Sequence, residues 1–263
     1  SHGDTYNIVH SMLSKERNQN PITFELRDET ENKALRFLRK YQFNGNDEFV
    51  VLHVREGGNL YDKNMHDQNK DRNYNPNCFL DSIKYILNQG LKIIRIGNAN
   101  MTSLPEMNGL VDLTSEPNHP KEVDIFACAR AKFYLGNSSG PATLAYFFNT
   151  PTANCGLAPY PLAYPNMITA LQPLRDRTSN KILNINQIER LGILNLEAPR
   201  TLNNKNVVQN HLSGDQITKF TKEIFEFVDK GAILNENYSL INQKAKYGIH
   251  ADAILSRDSL KLF

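Results

Sequence analysis

The chain predicts an α/β fold, a Rossmann-like doubly wound parallel sheet, and three observations predict it. Strand-like and helix-like segments alternate along the chain. The strand-like runs are continuously apolar rather than alternating, as expected of parallel strands covered on both faces. Polar, chemistry-bearing residues gather where those runs end, and the carboxyl ends of such strands are where doubly wound sheets bind ligands.

The elements follow in order. Residues 29–43 place Ala34, Leu35, Leu38 and Tyr41 at helical spacing with charges between, which predicts an amphipathic helix. FNGNDE then makes a turn into DEFVVLHV (47–54), the first buried strand. A polar stretch from Glu56 to Pro76 has almost nothing to bury, a pattern more usual in functional or mobile loops than in cores. In 75–90, Phe79, Leu80, Ile83 and Ile86 share one helical face, Asn75 or Asn77 can cap the start, and Gly90 ends it. LKIIRIGN (91–98) is the second strand, LVDLT (110–114) the third, 119–131 a helix, KFYLGNSS (132–139) the fourth strand, 140–149 a helix, and 150–156 the start of a fifth strand. Ile217, Phe220, Ile224, Phe225 and Val228 predict a packing helix over 212–231. APYPLAYPNM (158–167) reads first as a surface loop. The predicted organisation is an N-terminal extension over 1–20, a Rossmann-like domain over 21–231, and a tail over 232–263 with no assigned role.

Composition narrows the classes. At 263 residues, 40% apolar and 22% charged, this is ordinary globular protein. A formal net charge of +2 with no basic run gives no footprint for nucleic acid. Cys78, Cys128 and Cys155 show no CxxC spacing, so neither a zinc ribbon nor a disulfide framework is expected, and a reducing compartment is. No stretch is long and apolar enough for a membrane span. The start, Ser-His-Gly without Met, reads as the edge of a trimmed fragment, with room for a missing N-terminal domain.

Four polar clusters end the first four strands and are expected to share a crevice: His53–Glu56, Arg95–Asn98, Asp112–Ser115 and Asn137–Gly140. A glycine and two serines at a strand-to-helix junction can offer backbone N–H groups and hydroxyls to a phosphate; Ser138 or Ser139 can equally be a helix cap ahead of Pro141. GxGxxG and GxxxxGK are both absent, which removes the main support for dinucleotide-dependent dehydrogenases and P-loop kinases. A guanidinium at a buried strand end needs a partner, either a carboxylate such as Glu56 or a ligand phosphate. Arg55 and Arg95, at adjacent strand ends, tip that choice toward an anionic ligand, and His53 alternates with Arg55 onto the same side of its strand.

The ordered set HVRE, Arg72-Asn73-Tyr74, IIRIGN, VDLTS, a helix carrying Asp124, and FYLGNSSG resembles a family of bacterial glycosyltransferases related in pattern to fucosyltransferase-like enzymes. The resemblance covers roughly residues 20–230 and implies the donor-binding half of a GT-B enzyme. It implies transfer from a nucleoside diphosphate sugar, GDP-sugar favoured, to a glycan or glycolipid acceptor in surface polysaccharide synthesis. It also implies a cytoplasmic location, the inner membrane face included. The nucleotide sugar is a co-substrate, and neither a resident cofactor nor a metal is expected. Arg55 would neutralise the departing β-phosphate and Glu56 would be the preferred base, ahead of Asp62, His66 and Asp67. Ser138, Ser139 and Gly140 would hold the diphosphate, with Arg95, Gly97 and Asn98 bordering it, and His53 and Asn137 would be further donor-binding residues. Asp112, Thr114 and Ser115 would lie near the nucleoside. A nucleotide-sugar epimerase or hydrolase, or a non-catalytic binding module, are the other expectations.

Overall fold

A computed structural model of the chain describes residues 23–57, 72–157, 167–193, 202, 204–230 and 253–263. Its centre is a seven-stranded, all-parallel sheet in the order β3-β2-β1-β4-β5-β6-β9. The strands are β1 (Phe49–His53), β2 (Lys92–Arg95), β3 (Leu110–Asp112), β4 (Phe133–Gly136), β5 (Thr152–Leu157), β6 (Ile168–Leu171) and β9 (Ile254–Leu255). A separate antiparallel pair, β7 (Leu174–Asp176) and β8 (Val207–Gln209), lies between β6 and β9 in sequence. From β1 the chain adds β2 and β3 outward in one direction, then returns to lay β4 on the other side of β1 and builds outward from there. The carboxyl ends of β1 and β4 therefore flank the point where the winding reverses, the ligand-binding position of doubly wound sheets.

Both faces are covered, which is why the strands read as unbroken apolar runs. On one face Val50, Leu52, Ile93, Phe133, Leu135 and Ile168 pack with α2 (Leu80–Asn88) and α6 (Gly214–Lys230), through Ile83, Ile86, Ile217, Phe220 and Ile224. On the other, Phe49, Val51, Ile94, Ile96 and Tyr134 meet α1 (Asp28–Leu38), α3 (Lys121–Arg130) and α4 (Gly140–Phe147). A third cluster joins Leu157, Leu171 and Leu255 of the sheet to α5 (Ile185–Arg190) and to Leu174 and Val207 of the small sheet. A last short helix, α7 (Arg257–Leu260), closes the chain.

The predicted elements are found with shorter bounds. The third strand stops at Asp112 because Leu113–Ser115 turn as a 3₁₀ segment, with the Asp112 side chain accepting from Thr114 N. The fourth stops at Gly136, leaving Asn137–Ser139 as the junction to α4. The tail, given no role by its sequence, supplies β9, the seventh strand. The proline- and tyrosine-rich loop 158–166 lies outside the described residues.

One glycine is essential to this packing. Gly156 sits at the irregularity of β5 with φ +66°, and a Cβ there would lie 1.8 Å from Tyr74 Oη. Tyr74 is buried, accepts a hydrogen bond from Leu212 N at 3.1 Å, and stacks on His211 with ring centroids 4.3 Å apart. Gly156→Ala combines a left-handed backbone with displacement of that ring, and is expected to cost about 2–3 kcal/mol in urea unfolding. A loss under about 0.5 kcal/mol would show that Tyr74 has another place to go.

Candidate functional site

The exit of β1 is stitched on both sides. Arg55 N donates to Asn137 Oδ1 at 2.7 Å, and Tyr74 N donates to the Arg55 carbonyl at 2.9 Å. The same Asn137 donates through Nδ2 to the Arg72 carbonyl at 2.5 Å. Asn137 is buried, with both ends of its amide hydrogen-bonded, so it tethers the β1 exit to the returning chain. The effect is to fix the backbone of Arg55 at the switch point. Its side chain is half-buried, and its guanidinium lies close enough to His53 to oppose protonation of the imidazole.

Beside it, the junction of β4 and α4 departs from ordinary capping. Ser139 occupies the N-cap position, yet its side chain makes no capping bond to the helix. Its Oγ instead lies 3.2 Å from His53 Nδ1 and 3.1 Å from Tyr134 Oη. Gly136 makes the second contact possible, since a Cβ there would sit 2.6 Å from Tyr134 Oη and 2.2 Å from the His53 carbonyl. His53 and Gly136 are register partners in β1 and β4, which brings the imidazole to this junction. Burial, then the positive charges of Arg95 and Arg55, hold the His53 pKa down at about 4, so the ring is neutral near pH 7. Burial also pushes the Tyr134 phenol up, keeping it a donor. Ser138 is half-buried and Gly140 exposed, and a Cβ on Gly140 would meet nothing within 4 Å.

A second polar cluster occupies the ends of β2 and β3, and here residues expected at the ligand are bonded to one another. Arg95 is fully buried and has protein partners: Nη2 donates to Glu56 Oε1 at 2.9 Å, and Nη1 to Asp112 Oδ2 at 2.9 Å and the Thr102 carbonyl at 2.7 Å. Asp112 is saturated in turn by Leu104 N, Thr114 N and Thr114 Oγ1, which leaves it no free lone pair for a ribose. Ser115 Oγ donates to the Asp112 carbonyl. Gly97 makes room for Met101, whose Sδ would lie 2.5 Å from an added Cβ. Asn98 is exposed, its carbonyl receiving Met101 N. Glu56 was expected beside Arg55; it turns to Arg95 instead, and its second oxygen accepts from Thr102 N at 3.0 Å. Both oxygens of Glu56 are therefore bonded, one to Arg95 and one to the backbone at Thr102.

Asp124 pairs with His119 Nε2 at 3.0 Å on the first turn of α3, with its pKa raised by burial. Asp62, His66, Asp67 and Asp71 lie outside the described residues. Among the described residues, no group of three His, Cys, Asp or Glu is arranged to hold a metal ion, and no helix is long and apolar enough to cross a membrane. Tyr134, Gly136 and Thr102 were not foreseen. Tyr134 and Gly136 share a strand face at i and i+2, a spacing visible in FYLG, whereas the Thr102 contacts are backbone and leave no sequence signal.

Two measurements probe this arrangement. Arg95→Met strands two partly buried carboxylates and is expected to lower unfolding stability by about 3–5 kcal/mol; a loss below about 1 kcal/mol would show that the cluster is not holding the strand ends. His53, at 6.5 unfolded and about 4 folded, takes up its proton more readily in the unfolded chain. Its contribution is whole above pH 6.5 and lost as pH falls toward 4, by about 3 kcal/mol in all. Urea midpoints between pH 7 and pH 4 are therefore expected to fall more steeply for the wild type than for His53→Gln, and equal slopes would contradict a neutral buried imidazole.

Compared with known proteins, the chain matches no family model, no curated protein and no solved structure. The chemistry of the site therefore rests on its own geometry.

Proposed function

We propose that the protein binds a nucleoside diphosphate sugar, a GDP-sugar above others, across the ends of β1 and β4, and transfers the sugar to a hydroxyl of a glycan or related acceptor. The observation that carries this reading is one juxtaposition. Arg55 has its backbone fixed at the switch point, and the neighbouring α4 begins at a serine whose side chain does not cap its first N–H groups. Uncapped helix amides and a guanidinium are the two groups best suited to a diphosphate, the first through aligned dipoles and the second through a bidentate fork. Both also stabilise charge that grows as a diphosphate leaves, which is where such a site gains catalytic power. The resemblance of HVRE and GNSSG to fucosyltransferase-like motifs supports the same substrate class.

In this reading Arg95, Glu56 and Asp112, ion-paired with one another, support the site. Ligand contacts then fall to Arg55, Ser138 and the α4 amides. A thermal-shift panel of GDP, UDP, CMP, ADP and their sugars tests this, since a ligand selective for the native state raises the midpoint. The expected result is a shift with a nucleoside diphosphate, lost in Arg55→Ala while that variant keeps its wild-type unfolding midpoint without ligand. No shift with any nucleotide, or a full shift in Arg55→Ala, would overturn the reading.

A further inference from the structure

The hydroxyl of Ser139 is held as few N-cap serines are. An N-cap serine ordinarily spends its oxygen on the N–H groups of its own helix, an interaction worth about 1 kcal/mol. Here that interaction is forgone, and Oγ is held between the phenol of Tyr134 and the imidazole of His53. Tyr134 is kept protonated by burial, and its hydroxyl and that of Ser139 lie close enough for either to donate to the other. With the phenol as donor and the ring proton on Nε2, the serine proton points to Nδ1 of the neutral imidazole. The half-buried serine is the outermost of the three, since His53 and Tyr134 are buried. Gly136, with no side chain between them, is what lets the phenol reach it.

We propose that Ser139 and His53 form the proton-accepting pair of the site. Resting on the nucleotide-sugar reading above, the pair takes the proton of the attacking hydroxyl, whether of an acceptor sugar or of water. The attacking oxygen forms a bond to the anomeric carbon as the bond from that carbon to the β-phosphate oxygen breaks, and the electron pair leaves with the diphosphate. The proton of the attacking hydroxyl passes to Ser139 Oγ, whose own proton passes to His53 Nδ1; the imidazolium then returns it to solvent. The groups that set the imidazole's readiness are Arg55 and Arg95, which oppose its protonation. The negative charge of a bound diphosphate opposes theirs, so donor binding itself prepares His53 to accept. The carboxylate of Glu56, bound by Arg95 and Thr102 N, leaves this role open.

The test uses water as the acceptor. GDP release from GDP-fucose, GDP-mannose and UDP-glucose (UDP for the last) is followed alongside the thermal shift given by GDP and UDP alone. Ser139→Ala is expected to keep the nucleotide shift and to lose about 100-fold or more in release rate, the range of general base catalysis. Ser139→Thr, which keeps a hydroxyl, is expected to recover most of that rate. His53→Gln is expected to lose the rate too, together with the acid limb of the wild-type pH profile. Urea midpoints of all variants confirm that each is folded. Wild-type release by Ser139→Ala, or an acid limb that persists in His53→Gln, would overturn the pair. Loss of nucleotide shift in Ser139→Ala in step with rate would make Ser139 a phosphate contact and overturn it as well. No nucleotide shift in the wild type would instead overturn the nucleotide reading, and the pair's role with it.

Discussion

The arrangement at the carboxyl edge of the sheet depends on a cation that cannot be left alone. Arg95 is fully buried at the end of β2, and an unpaired guanidinium there would cost several kcal/mol. Its charge is met by Glu56 from the exit of β1 and by Asp112 from the end of β3, with Thr102 closing the intervening loop. Three strand ends and one loop are thereby held by a single side chain. Glu56 is next to Arg55 in sequence, so the demand of Arg95 for a partner also limits how the chain leaves β1.

The opposite flank of β1 is fixed by neutral groups. Asn137 binds the backbone of both residue 55 and residue 72, and Tyr74 fills the space that Gly156 leaves open. Arg55 thus stands between an ionic clamp toward β2 and β3 and an amide clamp toward β4. Such support on regular elements is what a binding site needs if its reacting groups are to be held within a fraction of an ångström. The cost is visible at α4, whose N-cap serine does not cap, and at His53, whose neutral state ties stability to pH. Local rules broken together at one place mark a functional site more strongly than any one of them alone.

Much of the fold was legible in the sequence because the unbroken apolar strands and the 3.6-residue spacing of their helices carry it directly. Strand ends were less so. Asp112 terminates β3 by folding its side chain back onto Thr114 N, an event composition does not announce. β9, only two residues long, could not be told from loop before its partner β6 was known. At the site, the sequence shows which polar residues end the strands, but not which of them bond to one another. Arg55 and Arg95 look equivalent in sequence, one strand apart. Register decides between them: Arg95 lies across from Leu52 and Asp112 inside the sheet, whereas Arg55 lies two residues beyond the last residue of β1. Likewise, nothing in HVRE says that its glutamate turns away from its arginine.

What distinguishes the two strand-end clusters is the kind of group each brings together. The one at β2 and β3 is closed on itself by two carboxylates, and the one at β1 and β4 combines Arg55 with an uncapped helix start and a neutral imidazole. A crystal structure of the protein with bound GDP tests that distinction most directly. The account predicts the β-phosphate within hydrogen-bond reach of Arg55 and the first amides of α4, with the Arg95 to Glu56 contact intact. A diphosphate bound instead to Arg95, with Glu56 displaced, would contradict it.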